Sequence, residues 1–295
     1  MHLDRFDEAK ATAEKAFAQK IDSAGIHRVL LRLAYIQGDQ AAAQKEIQWA
    51  SGRPEEYAVV SVQAVQAGYL GQRRKARELS KRAGEMARRR KLAAAAAGYA
   101  AGDANDDSLL GSCDLARTEA HSAFALVDGD TLPAAGRAAT ALARCGDTAV
   151  AEKWAGDVSK LLGAATIWNA VTLPLLRANI ELKRDQPAKA IELLQSAVPY
   201  ERTNSGVMYV RGLAYLRLGH GPEAAAEFQK ILDHKGDYWG TLYSLAYVGL
   251  ARAAVLSGDT AKAKEAYQDF LALWKDADSD LPILAEARKE YAVLH

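Results

Sequence analysis

Six histidines, two cysteines and an alternating acidic triplet are the residues of this 295-residue chain that could do chemistry, and their spacing gives them little to do. His2, His27, His121, His220, His234 and His295 never pair at a helical spacing of three or four, so no paired-imidazole metal helix is present. Cys113 and Cys145 fit no metal or redox spacing and are expected to be small buried apolar residues. Asp276, Asp278 and Asp280 alternate as in a calcium loop, but the loop's glycine is absent and Ala287 stands where its closing glutamate would be. Capping of the helix that follows is the expectation for that triplet. No nucleophile elbow, glycine-rich phosphate loop or dinucleotide fingerprint occurs. The expectation is therefore no catalytic residue, no metal and no cofactor.

Binding chemistry is better represented. Arg73, Arg74, Lys75, Arg77, Lys81, Arg82, Arg88, Arg89, Arg90 and Lys91 crowd into one stretch against only Glu78 and Glu85. Such a stripe could dock an acidic partner or nucleic acid, though a solvated helix face accounts for it as well and is preferred. No aromatic residue is interleaved for base stacking, so nucleic acid is not expected as a partner. The whole chain carries a net charge of +1, too little for a strong overall field. The charge is uneven: residues 1–100 hold 18 Lys and Arg against 11 Asp and Glu, and the rest holds 20 against 26.

The elements that must position these residues are announced by alanine. Ala9, Ala43, Ala76, Ala116, Ala151, Ala190, Ala224 and Ala263 recur every 33 to 40 residues. Five residues before most of them stands a turn glycine: Gly38, Gly71, Gly111, Gly146, Gly219 and Gly258, with Asp4 and Asp185 in the remaining two places. A repeat of this length implies stacked helix pairs, because one pair cannot bury its apolar face alone. Gly38-Asp39, Gly146-Asp147 and Gly258-Asp259 supply a left-handed turn followed by a helix cap. The expected fold is an all-α, right-handed superhelix, an α-solenoid of about seven helix pairs plus end helices.

The chain is expected to form a single solenoid over 1–295. Residues 3–20 would be an unpaired second helix, seven pairs would fill 24–274, and 281–294 would be a capping helix. Loops are expected at 51–54, 102–107, 128–131, 199–206 and 234–237. The missing partner for 3–20 suggests a repeat array that begins earlier in a longer protein. The apolar run from Leu161 to Leu176 is too short for a membrane span and ends at Arg177. No apolar leader follows Met1, and a cytoplasmic location is expected.

In such a stack the first helix of each pair lines the concave groove, so polar residues one turn apart on it can meet a ligand. Counting back from the turn glycine places Arg28, Arg32 and Tyr35 there in the first pair. Corresponding positions in later pairs give Asn179, Tyr209 and Arg252. Two stacked guanidinium groups would suit a carboxylate or an acidic peptide. The alternative is that Arg28 and Arg32 pair with neighbouring helices and the tyrosines are core aromatics.

Residues 209–232 read YVRGLAYLRLGHGPEAAAEFQKIL, with Gly212, Tyr215, Gly219, Ala224 and Phe228 in small, aromatic, turn, small and aromatic places. Residues 246–271 repeat this with Ala251, Gly258, Ala263 and Tyr267. The pattern resembles the tetratricopeptide repeat. The middle repeats depart from it: Asp185 replaces the turn glycine, and Ala120 and Ala155 replace the aromatic. Segments such as DEAKATAEKAFA, DQPAKAIELLQSAVPYE and SGDTAKAKEAYQDFLALWKDADSDLPILAEARKEYAVL further resemble the C-terminal repeat region that follows kinase or winged-helix domains in many bacterial proteins. That resemblance implies a non-catalytic protein- or peptide-binding scaffold in signalling. A small-ligand-sensing domain controlling an attached kinase or DNA-binding domain is the alternative.

Overall fold

The computed structural model describes residues 4–126 and 132–294. The expected loop at 128–131, with His2 and His295, lies outside them. No strand occurs among the described residues; helices fill the chain. After α1 (Phe6–Ala18), seven pairs follow in order. They are α2 (Ala24–Gln37) with α3 (Gln40–Ala50), α4 (Glu56–Tyr69) with α5 (Arg73–Arg89), and α6 (Ala93–Leu109) with α7 (Cys113–Phe124). Next come α8 (Leu132–Arg144) with α9 (Thr148–Leu162), and α10 (Leu173–Lys183) with α11 (Pro187–Leu193). The last two pairs are α12 (Gly206–Arg217) with α13 (Gly221–Leu232), and α15 (Thr241–Leu256) with α16 (Thr260–Leu273). A single turn, α14 (Lys235–Tyr238), joins α13 to α15, and α17 (Pro282–Ala292) ends the stack. Each pair packs on its sequence neighbours, which makes the chain an all-α superhelix of stacked hairpins.

The alanine register is the seam of the stack. Ala43, Ala76, Ala116, Ala151, Ala190, Ala224 and Ala263 are all buried, because only a methyl group fits where two helices cross this closely. Ala9 on the outermost helix is only half-buried. The aromatic places are filled as packing demands: the Phe228 ring lies between Gly212 and Gly249, where an added Cβ would come within 2.8 Å and 2.5 Å of it. The turns form where glycine predicts them, and Asp185 adopts the same left-handed conformation (φ 57°) without glycine. Asp39 and Asp259 cap the helices that follow them, accepting from the backbone N–H of Ala42 and Lys262 at 2.9 Å and 3.0 Å. Asp147 instead pairs with Arg117 at 2.8 Å.

Several expectations need correction. Residues 102–107 are not a loop but part of the C-terminal half of α6. Gly-Asp-Ala-Asn-Asp-Asp is poor local helix chemistry, but Asp103 and Asp107 gain buried ion pairs with α5 only in helical register. The expected loop at 199–206 is mostly a 3-10 helix, Leu194–Thr203, and 234–237 contains α14. The aspartate triplet does not cap α17. Asp278 caps α5, accepting from the Arg74 backbone N–H at 2.7 Å, 204 residues away.

Cys113 and Cys145 are not isolated apolar residues; they are joined in a disulfide with Cα atoms 5.5 Å apart. Cys113 opens α7 and Cys145 follows α8, so the bond staples two consecutive hairpins at their turn ends. Their sequence spacing matches no motif because the superhelix, not the local chain, sets their proximity. Closing a loop of 32 residues is worth about 3–4 kcal/mol. Thiol titration of the native protein is expected to find no free thiol before reduction, and Cys145→Ser should lower the unfolding free energy by about that amount. Two reactive thiols in the native, unreduced protein would contradict the cross-link.

The superhelix also closes on itself. The face of α15 packs against α4 and α6, so the last pair touches the second and third. Trp274 is fully buried, and its indole N–H donates to the Tyr69 carbonyl at 3.1 Å. Ser244 donates to the same oxygen at 2.7 Å. Arg32 donates to the carbonyls of Gly236 and Asp237 at 2.6 Å and 3.1 Å, and Tyr35 stacks on Trp239. Gly71 permits the closest approach: its φ is +72°, and a Cβ there would sit 2.6 Å from the Trp274 ring.

Candidate functional site

Closure turns the concave side into a half-open cavity of about 1380 Å³. Its walls come from α4, α5, α6, α8, the π-helical turn Trp168–Thr172 before α10, and the starts of α12 and α15. The face that α8 presents carries Pro133, Arg137, Thr140 and Arg144, spaced 4, 3 and 4 residues apart and so aligned on one side of the helix. Tyr99, Trp168, Tyr238 and Trp239 supply aromatic wall. Burial raises the Tyr99 phenol above its ordinary range, with smaller opposing effects from Ser61 and Arg28.

Charge on the α5–α6 wall is internally balanced. Arg73 reaches Asp103 at 2.9 Å and Asp107 at 2.8 Å, and Arg77 shares Asp107 at 2.8 Å. Asp106 accepts from Thr241 Oγ1 at 2.8 Å, so it sits at the positive N-terminal end of α15. Four of the ten basic residues are thereby explained as structure: Arg73, Arg74, Arg77 and Arg82 pair with Asp103 and Asp107, Asp278, Asp107 and Glu56. Lys75, Lys81, Arg88, Arg89, Arg90 and Lys91 face outward.

The six residues expected in the groove are dispersed. Arg28 is exposed and acts electrostatically on Tyr99 in the cavity wall. Arg32 and Tyr35 are engaged in the closure contact, and burial lowers the Arg32 guanidinium below its usual range. Asn179 is buried, its amide donating to the Leu175 carbonyl at 2.8 Å. Tyr209 packs edge-on against Phe228 and lies near both Arg144 and Arg252. Arg252 pairs with Glu286 at 3.0 Å and Glu290 at 2.9 Å, holding α17 to α15. The structure thus brings none of the later three to Arg28.

Arg137, Thr140 and Arg144 went unnoticed in the sequence, although their spacing was there to see. Counting back from Gly146 as from Gly38 lands on Gly136, Thr140 and Ala143, so both arginines are one residue off. The turn itself is the same in both pairs: Gly38 and Gly146 each donate to the carbonyl three residues back, and Asp39 and Asp147 to the one five back. One residue is about 100° around a helix, so a count that lands on Thr140 passes over side chains on the adjoining flank of the same cavity-facing side.

His27 has no imidazole partner at helical spacing, but the fold surrounds it with carboxylates. It is buried between Glu46 and Asp22, stacked on Trp49 with ring centroids 3.5 Å apart. The hydrogen bond with His27 holds Asp22 below the usual carboxylate range. Among the described residues, no group of three or more His, Cys, Asp or Glu is placed to hold a metal ion. No described helix is long and apolar enough to cross a membrane.

No family model matches the sequence, and no curated protein is similar to it. Among solved structures, the chain is similar to a tetratricopeptide repeat protein from Parabacteroides merdae ATCC 43184, at 12% identity and a TM-score of 0.49, covering 97% of this chain and 98% of that one. It is also similar to a chain of the APC/C hetero-tetramer Cut9-Hcn1, at 14% identity and a TM-score of 0.48. That match covers 97% of this chain and 52% of the other, so this chain spans about half the length of that neighbour.

Proposed function

We propose that this chain is a non-catalytic scaffold that binds a protein or peptide, as the interaction or sensory region of a bacterial signalling protein. The observation that supports this reading is a stack of hairpins with an exposed cation, Arg28, within electrostatic reach of Tyr99 in the wall of an aromatic-lined cavity. An acidic or carboxylate-bearing segment is the partner such a rim would favour. The attached domain would be a kinase or a winged-helix module, on the strength of the sequence resemblance. The disulfide favours an oxidising compartment over the cytoplasm expected from the sequence.

Selection of a random-peptide library on the immobilised full chain tests the reading. Acidic peptides should be enriched, and Arg28→Ala should weaken the best of them about tenfold, the effect of losing one charge-assisted contact. Arg32→Ala is a poor partner for that test, because Arg32 holds the closure contact and its loss would act through the fold. A library from which nothing is enriched, or equal binding by Arg28→Ala, would end the proposal.

The cavity itself favours a second reading, a small-ligand-sensing domain that passes a change of shape to an attached domain. Its volume is ample for a small molecule, and its walls come from helices far apart in sequence. A ligand bridging α8 and α15 would therefore bias the closure of the whole superhelix.

A further inference from the structure

Among the described residues most buried arginines are matched by carboxylates; Arg32, held by the Gly236 and Asp237 carbonyls across the closure, and Arg144 are not. Arg73 has Asp103 and Asp107, Arg211 has Glu201 and Glu227, and Arg252 has Glu286 and Glu290. Arg144 has none among the described residues. Its Nη1 group donates to neutral oxygens only: Ser108 Oγ at 2.5 Å, and Asn105 Oδ1 and carbonyl at 3.3 Å and 3.4 Å. Its Nε is buried without a protein partner. The guanidinium lines the central cavity, and two turns back on the same face Arg137 is exposed into that cavity without an ion-pair partner among the described residues.

We propose that the central cavity binds a small organic carboxylate with an aromatic or apolar body, and that Arg144 is the seat of its carboxylate group. This rests on the ligand-sensing reading and names its ligand class and its anchor. Guanidinium and carboxylate match as planar, two-point partners. Burial pushes Arg144 down to about 10, with Tyr209 and Asp106 opposing it only in part; a bound carboxylate would oppose it further. A singly charged group fits better than a phosphate dianion, because Asp106 stands near Arg144 and leaves the seat with little positive excess. The aromatic walls from Tyr99, Trp168 and Trp239 suit a flat apolar body. A free small molecule fits better than a long chain segment, because α15 closes the concavity against α4 and α6.

Calorimetric titration of the full chain with 1-naphthoate, neutral 1-naphthamide and 1-naphthylmethylammonium tests this. The acid is expected to bind at least tenfold tighter than the amide, and the ammonium not at all. Arg144→Gln should shrink the preference for acid over amide to about threefold, the share left to Arg137. Arg144 also ties α8 to Asn105 and Ser108, so the wild-type comparison stands by itself, and Arg137→Gln serves as a second variant that keeps those contacts. It should weaken the acid about threefold and the amide not at all, the effect of a rim charge. Equal binding of acid and amide by the wild-type chain would overturn the seat at Arg144 while leaving a neutral-ligand cavity standing. Failure of all three probes to bind would overturn both the seat and the ligand-sensing reading.

Discussion

Asp107→Asn is expected to lower the unfolding free energy by about 3–5 kcal/mol, the loss seen when one partner of a buried ion pair is removed. Asp107 is fully buried and receives Arg73 at 2.8 Å and 3.0 Å and Arg77 at 2.8 Å. Asparagine keeps the shape but removes the negative charge, and Arg73, itself 3% exposed, keeps Asp103 in contact and Asp106 at longer range. The destabilisation comes from the stranded cation more than from lost attraction. Replacing Arg73 by Met in the same chain should therefore recover part of the loss, a coupling that a double-mutant cycle reads directly. Urea titration followed by far-ultraviolet circular dichroism is the measurement. A loss below about 1 kcal/mol for Asp107→Asn would mean that this network is not what holds α5 to α6.

Trp274→Ala should have an effect of similar size, about 3–5 kcal/mol, through the cavity it leaves. Its consequence is also architectural. Trp274 is fully buried against Gly71 and donates to the Tyr69 carbonyl, 205 residues away in sequence. The same carbonyl retains Ser244 as a donor, so the damage is lost packing rather than an orphaned oxygen. Opening of the closure should appear as a larger radius of gyration in solution scattering. Gly71→Ala attacks the contact from the other side, since its Cβ would meet the indole at 2.6 Å and its φ is +72°. Scattering unchanged in both variants would show that the superhelix closes without this contact.

The disagreements between sequence and structure have one physical origin. Residues 102–107 carry the composition of a loop, yet they belong to the C-terminal half of α6 because Arg73 and Arg77 on another helix reward the helical placement of Asp103 and Asp107. Asp278 was expected to cap the helix beside it and instead caps α5 across the closure. Cys113 and Cys145 fit no local motif and meet because two turns stack. In each case a long-range partner outweighs a local preference of a few tenths of a kcal/mol to about 1 kcal/mol per residue.

The candidate site divides in the same way. Arg28 was legible as an exposed position on the first helix of a pair, because helical periodicity alone decides which side of a helix it occupies. Arg32, Tyr35 and Arg252 have that periodicity too, but partners on distant helices engage them. Arg137 and Arg144 each stand one residue after the positions counted back from Gly146, so that count passes over them.

The sequence by itself determined the helices, their turns and the buried alanine seam, because these depend on backbone propensity, left-handed turn residues and contacts between neighbours in the chain. Only the tertiary structure decided the disulfide, the closure of α15 on α4 and α6, and the cavity with its unmatched guanidinium. Those depend on how small rotations accumulate over successive hairpins, and no local pattern of residues records that accumulated angle.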